Sequence, residues 1–145
     1  MGRNFLSHAK FIKVKDHTAA GTTDVVSDIV DTAGYRGVAF VTSLSTANAT
    51  NFITVQQHTA NQTTGMADLA GSKVSSGTTD EDLIVEIADP RERYLQVTVS
   101  RGASTTCESI WAVLYGKNEP VGASGNSVAG TQIAELSVAP AEGTA

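Results

Sequence analysis

Three histidines and one cysteine are the residues of this sequence best suited to metal binding or nucleophilic chemistry. His8, His17 and His58 do not occur at the H-x-H or H-E-x-x-H spacings that bring two imidazoles onto one metal ion. Cys107 has no base or cation beside it in the sequence that would favour a reactive thiolate. We therefore interpret Cys107 as a small buried core side chain and the histidines as loop or strand-end residues, which predicts no metal site.

The acidic cluster Asp80-Glu81-Asp82 offers carboxylate oxygens, the ligands that Ca²⁺ prefers. It lacks the alternating acidic residues and glycine of a calcium loop, so we interpret it as a solvated turn. A glycosidase pair of carboxylates stays open as an alternative, although aromatic residues make up only 6% and indicate no sugar-binding groove. No phosphate-binding, dinucleotide or nucleophile-elbow motif occurs. We predict that the protein is not an enzyme, with no catalytic residue and no cofactor.

The elements that carry these residues are predicted to be strands. Apolar residues recur with period two in about eight runs, separated by turns rich in glycine, threonine and aspartate. The runs are residues 11–15, 24–30, 37–42, 52–57, 72–75, 83–87, 94–99 and 107–115. Only Met66-Ala67-Asp68-Leu69-Ala70 reads as a short helical turn, ended by Gly71. Many short strands without a long helix predict an all-β fold, an antiparallel β-sandwich that is jelly-roll-like.

The 145 residues suit one domain. We expect an extended N-terminal segment at 1–10, the β-sandwich at 11–116 and a C-terminal arm or tail at 117–145, where alanine, glycine and serine dominate. No run approaches the ~18–20 apolar residues that cross a bilayer, so no membrane partner is expected. The last run is apolar on both faces between Ile110 and Leu114. It is either a central strand covered on both sides or a strand with one face against another subunit.

The net charge is −5 and the ten basic residues are scattered, so the composition does not favour nucleic acid as a partner. The densest charged stretch contains Arg91 and Arg93, which would form either a subunit contact or local ion pairs. The tail is either a disordered terminus or an arm that adds a strand to a neighbour's sheet edge. Its anchors would be Ile133, Leu136 and Val138, and Phe5 and Leu6 allow the same two readings at the N-terminus.

Five segments, in this order, carry a resemblance to a known family. They are Asp31 to Phe40 (DTAGYRGVAF), Ile53 to Gln57 (ITVQQ), Ala67 to Gly71 (ADLAG), Pro90 to Leu95 (PRERYL) and Ile110 to Gly116 (IWAVLYG). In these segments the chain resembles small head proteins of tailed bacteriophages, the capsid decoration or cement proteins. The likeness covers roughly residues 20 to 120 and is one of pattern and order.

The resemblance implies a β-sandwich or jelly roll that forms homodimers or homotrimers. Such a protein is made in the host bacterial cytoplasm, sits on the outside of an icosahedral virion and binds the major capsid protein, bridging neighbouring capsid subunits. Two alternatives remain open: a structural protein of the neck, the tail or a head fibre, and a carbohydrate-binding β-sandwich used in host attachment.

Overall fold

The computed structural model describes residues 5–117. A single helical turn, α1 (Phe5–His8), precedes twelve strands. The strands are β1 (Ala9–Lys15), β2 (Thr18–Gly21), β3 (Val25–Val26), β4 (Val30–Asp31), β5 (Gly37–Ser45), β6 (Phe52–His58), β7 (Ala67–Asp68), β8 (Val74–Ser75), β9 (Glu81–Ala88), β10 (Tyr94–Ser100), β11 (Thr105–Cys107) and β12 (Ile110–Tyr115). Within this part of the chain, no helix is long and apolar enough to cross a membrane.

One sheet, which we call sheet I, contains six of the twelve strands. Four of them lie end to end in pairs, so that each pair occupies the position of one long strand. β11 and β12 follow one another along the same edge of β5, because β9 occupies the opposite edge over Gly37 to Leu44. β1 and β2 in turn line the far side of β12 and β11. Sheet I therefore has four antiparallel lines in the order β1/β2, β12/β11, β5, β9.

Sheet II has the same number of lines. β3 and β4 pair with one edge of β10, and β6 pairs with the other edge over Phe52 to His58. β7 and β8 share the outer edge of β6. The order is β3/β4, β10, β6, β7/β8, and the two sheets together form the eight-line arrangement of a jelly roll. The predicted all-β antiparallel sandwich is confirmed.

Some predicted elements differ in detail. The helical turn predicted at Met66 to Ala70 is wrong: Ala67 and Asp68 form β7 against β6, because Leu69 N–H also bonds back to Val55 O at 2.9 Å and holds this stretch extended. The run 24–30 divides into β3 and β4, and the run 107–115 divides where Glu108 N–H bonds Ser43 O. At the N-terminus, the expected extended segment contains α1, and β1 begins at Ala9, which is buried opposite Tyr115.

The core lies between the inward faces of the two sheets. Every second residue of the long strands points inward, so Val38, Phe40, Leu95 and Val97 are fully buried. Burying one such side chain stabilises the fold by roughly 1.5–3 kcal/mol. These inward rows hold the two sheets together, and they leave the outward rows free to differ.

A buried arginine links two strands and a loop at one end of the sandwich. Arg101 is 5% exposed and donates to the carbonyls of Thr23, Ala19 and Thr105 at 2.7 to 2.8 Å. Beside it the fully buried Asn51 donates to Thr105 Oγ1 at 2.8 Å. Because a buried cation without partners is costly, Arg101 holds β2, β11 and the segment before β3 together at this end.

Candidate functional site

The outward face of sheet I is the surface with the strongest functional signal. Residues directly opposite on neighbouring strands share a face, so the strand registers define two outward rows. The first row contains Phe11, Val113, Ala39 and Glu86, and the second contains Lys13, Trp111, Val41 and Ile84. Six of these eight side chains are apolar. With Phe5, they form what we call the apolar face: Phe5, Phe11, Ala39, Val41, Ile84, Trp111 and Val113.

The side chains of the apolar face are partly or largely exposed to solvent. Ile84 is 59% exposed and Phe5 is 62% exposed, whereas the other five members are partly buried. The Phe5 ring meets the Phe11 ring edge-on, with centroids 5.4 Å apart, so α1 extends the patch beyond β1. A contiguous exposed apolar patch on a β-sandwich is typical of a surface that binds another protein.

The structure shows the position of the last strand, β12, which is apolar on both faces. β12 lies between β1 and β5, so it is a central strand, and its inward residues Ile110, Ala112 and Leu114 are fully buried. Its outward residues Trp111 and Val113 stay partly exposed in the described part of the chain. β12 is therefore central, as in the first alternative, but its outward face is not fully covered within residues 5–117. A partner on that face, the second alternative, stays a prediction.

A polar corner borders the apolar face at the end of the strands. The Tyr115 hydroxyl donates to the Glu86 carboxylate, and this bond with a negative group raises the pKa of Tyr115 to about 12. The Tyr115 ring lies across Gly37, where a Cβ would collide with it. Glycine at this position therefore leaves the room that the tyrosine needs to reach Glu86.

The predicted contact arginines are partly occupied inside the chain. Arg93 donates two hydrogen bonds of 2.8 Å to the two oxygens of Asp31, and its guanidinium lies 5.2 Å from the Tyr94 ring centroid. This bidentate bond holds the pKa of Asp31 below its usual value. Arg91 is exposed on the adjoining loop. A subunit contact through either arginine stays a prediction, and the local ion pair that was its alternative exists for Arg93.

The other predicted contact residues divide in two groups. Phe5 belongs to the apolar face, and Leu6 lies beside it in α1. Ile133, Leu136 and Val138 lie outside the described residues. The sequence singled out Phe5, whose role in a contact stays a prediction. It did not single out Val41 or Ile84, although their outward alternation with buried neighbours was an available signal.

The residues first considered for chemistry are dispersed. Cys107 is fully buried, and burial raises the pKa of its thiol, which confirms the core interpretation. Asp80 accepts from Thr46 N–H at 2.6 Å, and Asp82 accepts from Ser43 Oγ at 2.6 Å, so these carboxylates tie loop and strand together. Among residues 5–117, no three His, Cys, Asp or Glu side chains are grouped to hold a metal ion.

Comparison with known proteins adds little to this surface. No protein-family model and no curated protein matches the chain. A solved structure described as "Bacillus endospore appendages form a novel family of disulfide-linked pili" is similar over 81% of this chain and 93% of that chain, with 14% identity and a TM-score of 0.40. A likeness of this size carries no argument about function or partner.

Proposed function

We propose that this protein is a structural virion protein that binds the outside of an icosahedral phage capsid and stabilises the contacts between capsid subunits. The observation that supports the proposal is the apolar face of sheet I. The resemblance to capsid decoration proteins supplies the occupant, the major capsid protein. In this proposal the protein is located on the virion surface and acts as a homodimer or homotrimer.

The composition of the face suits a protein contact. Its centre consists of Val41, Trp111 and Val113, while Lys13 and Glu86 lie at opposite sides of the sheet. An apolar centre with a charged rim is the usual anatomy of a protein interface, and tryptophan is enriched among the residues that contribute most binding energy.

The stabilisation of a shell would follow from mass action. A protein that binds only the assembled capsid stabilises it by RT ln(1 + [L]/Kd) at each site, about 2.7 kcal/mol when the free protein is at 100 times Kd. Because one particle offers many identical sites, modest affinity at each is sufficient.

The proposal is tested by binding to capsids that lack the protein, with a matched pair of variants. Ile84→Glu introduces a charge into the apolar face, and Val26→Glu introduces the same charge at a hydrophobic residue that is 41% exposed on the outward face of sheet II. We expect Ile84→Glu to weaken cosedimentation with capsids at least about tenfold, and Val26→Glu to change it by less than about twofold.

Equal binding by the two variants would contradict the assignment of the contact to sheet I. The copy number in particles tests the location separately. A number comparable to that of the major capsid protein supports a decoration role, whereas a few copies per particle would move the protein to the neck, the tail or a head fibre. Light scattering of the free protein measures whether it is a dimer or trimer.

A further inference from the structure

One edge of sheet I is open in the described part of the chain. β9 pairs with β5 over the eight residues Glu81–Ala88, and no strand within residues 5–117 pairs with its other edge. Ile84, at the middle of this edge, is 59% exposed. A long unpaired edge presents a row of backbone donors and acceptors that can accept another strand.

A groove runs beside this open edge. It has a volume of about 380 Å³ and lies between residues 85–91 on one side and residues 69–72 on the other. Val85 and Leu69 are among its lining residues, and both pack against the core. A strand placed on β9 would therefore have room for inward side chains between the two sheets.

The chain leaves the described fold at the same end of the sheet. Tyr115, the last residue of β12, lies in register with Gly37, which in turn lies in register with Ala88, the last residue of β9. Gly116 and Ala88 also line one shared cavity. A segment that returns from this end along β9 would run antiparallel to it, in keeping with the rest of sheet I.

We propose that residues 131–138 of the same chain dock on the open edge of β9 as an antiparallel strand. The segment Thr-Gln-Ile-Ala-Glu-Leu-Ser-Val has eight residues, the length of β9. From β12 to the new position the chain crosses three strand spacings, about 14 Å. The fourteen residues 117–130 span up to about 46–50 Å when extended, so the segment of the same chain reaches without strain.

Docking within one chain is favoured over docking on a second copy. A short linker keeps the segment at an effective concentration near the millimolar range, well above that of other copies in dilute solution. The proposal goes beyond the capsid-binding function and does not depend on it.

The register follows from the charges. Alternation puts Ala134, Leu136 and Val138 on one face of the segment and Glu135 on the other. Because a carboxylate in the groove would be costly, Leu136 faces inward and Glu135 outward. Among registers with that orientation, Glu135 lies opposite Ile84, since the adjacent choices place it opposite Asp82 or Glu86 and like charges directly opposite are destabilising.

Disulfide formation between two introduced cysteines tests this register in the full chain. In the double variant Ile84→Cys, Glu135→Cys the two cysteines would lie directly opposite each other, at a separation that a disulfide spans. We expect mild oxidation to give a monomeric, internally bridged product by non-reducing electrophoresis and peptide mass mapping. The buried Cys107 remains as the free thiol. Val26→Cys, Glu135→Cys is the matched control and should not bridge.

Each other outcome overturns the proposal. A bridge between two chains would assign the edge to a second copy, and equal bridging in both double variants would show that the segment has no preferred site. Hydrogen exchange provides a second measurement in the full-length protein. We expect Leu136→Asp to speed exchange of the β9 amides about tenfold or more relative to wild type, with no change for Ser127→Asp in the linker. Unchanged exchange in Leu136→Asp would also contradict docking.

Discussion

The two outward faces of this sandwich differ although the same alternation builds both. On sheet II the central outward side chains of β6 and β10 are Thr54, Gln56, Gln96 and Thr98, with Phe52, His58, Tyr94 and Ser100 at the ends of the same face. Thr98 donates to Gln56 Oε1 at 3.1 Å, and Gln56 donates to Thr54 and to Asp68. On sheet I the central outward residues are alanine, valine and tryptophan, which offer solvent no polar group except the indole N–H.

The difference indicates which outward face is stable in water and which would gain free energy from being covered. The polar residues of sheet II bond one another along and across the strands, so that face is satisfied in water. The apolar face of sheet I gains free energy only when another surface removes it from water. We therefore expect partner binding on sheet I and solvent on sheet II.

The largest expected effect is a loss of stability on substitution of an inward residue, which an outward residue of the same strand should not show. Phe40 and Val41 are neighbours on β5, and Phe40 is fully buried while Val41 points outward. Phe40→Ala should lower the free energy of unfolding by about 3–5 kcal/mol. Val41→Ala should lower it by less than about 1 kcal/mol but should weaken capsid binding. Urea denaturation and capsid cosedimentation measure the two properties, and a large stability loss for Val41→Ala would mean that its face is covered within the chain.

A somewhat smaller loss of stability is expected when the hydrogen bonds of Arg101 at one end of the sandwich are removed. Arg101→Met removes a cation that bonds three carbonyls near Asn51. Because Arg101 is itself buried and its bonds to the carbonyls are charge-assisted, we expect a loss of about 3 kcal/mol. Arg36→Met is the matched exposed control, because the Arg36 side chain is exposed and forms a 3.6 Å ion pair with the exposed Asp89. Equal urea midpoints for the two variants would show that the Arg101 bonds contribute no more than a surface pair.

The smallest effect concerns the edge of sheet II and depends on pH. Arg93 lowers the pKa of Asp31 in the folded protein, so the folded state binds its proton less readily than the unfolded state does. The resulting stability is present above about pH 4 and is lost as the pH falls through the lowered pKa. Both partners are about half exposed, so we expect about 0–1 kcal/mol.

Asp31→Asn should remove that contribution. The unfolding free energies of wild type and variant, compared at pH 7 and below pH 3, should then converge at the lower pH. A gap that persists at low pH would mean that the effect of the substitution does not come from the charge of Asp31.

Several features of the fold followed from the sequence because they are local. Alternation in Tyr94 to Val99 predicts a half-buried strand, and β10 matches it within one residue. The same reasoning predicted a helical turn at Met66 to Ala70, where pairing with β6 overrode local preference and formed β7. Arg101 was not singled out, because its hydrogen-bond partners lie up to 82 residues away in the sequence.

The sequence by itself determined an all-β sandwich, the alternation of each long strand and the doubly apolar character of Ile110 to Leu114, because each depends on neighbouring residues. Only the tertiary structure decided which apolar residues face outward together. Phe11, Ala39, Ile84 and Trp111 are distant in the chain, and only strand order and register bring them onto one face. Register is set by pairings across the whole sandwich, so the surface that carries the proposed function is a property of the fold.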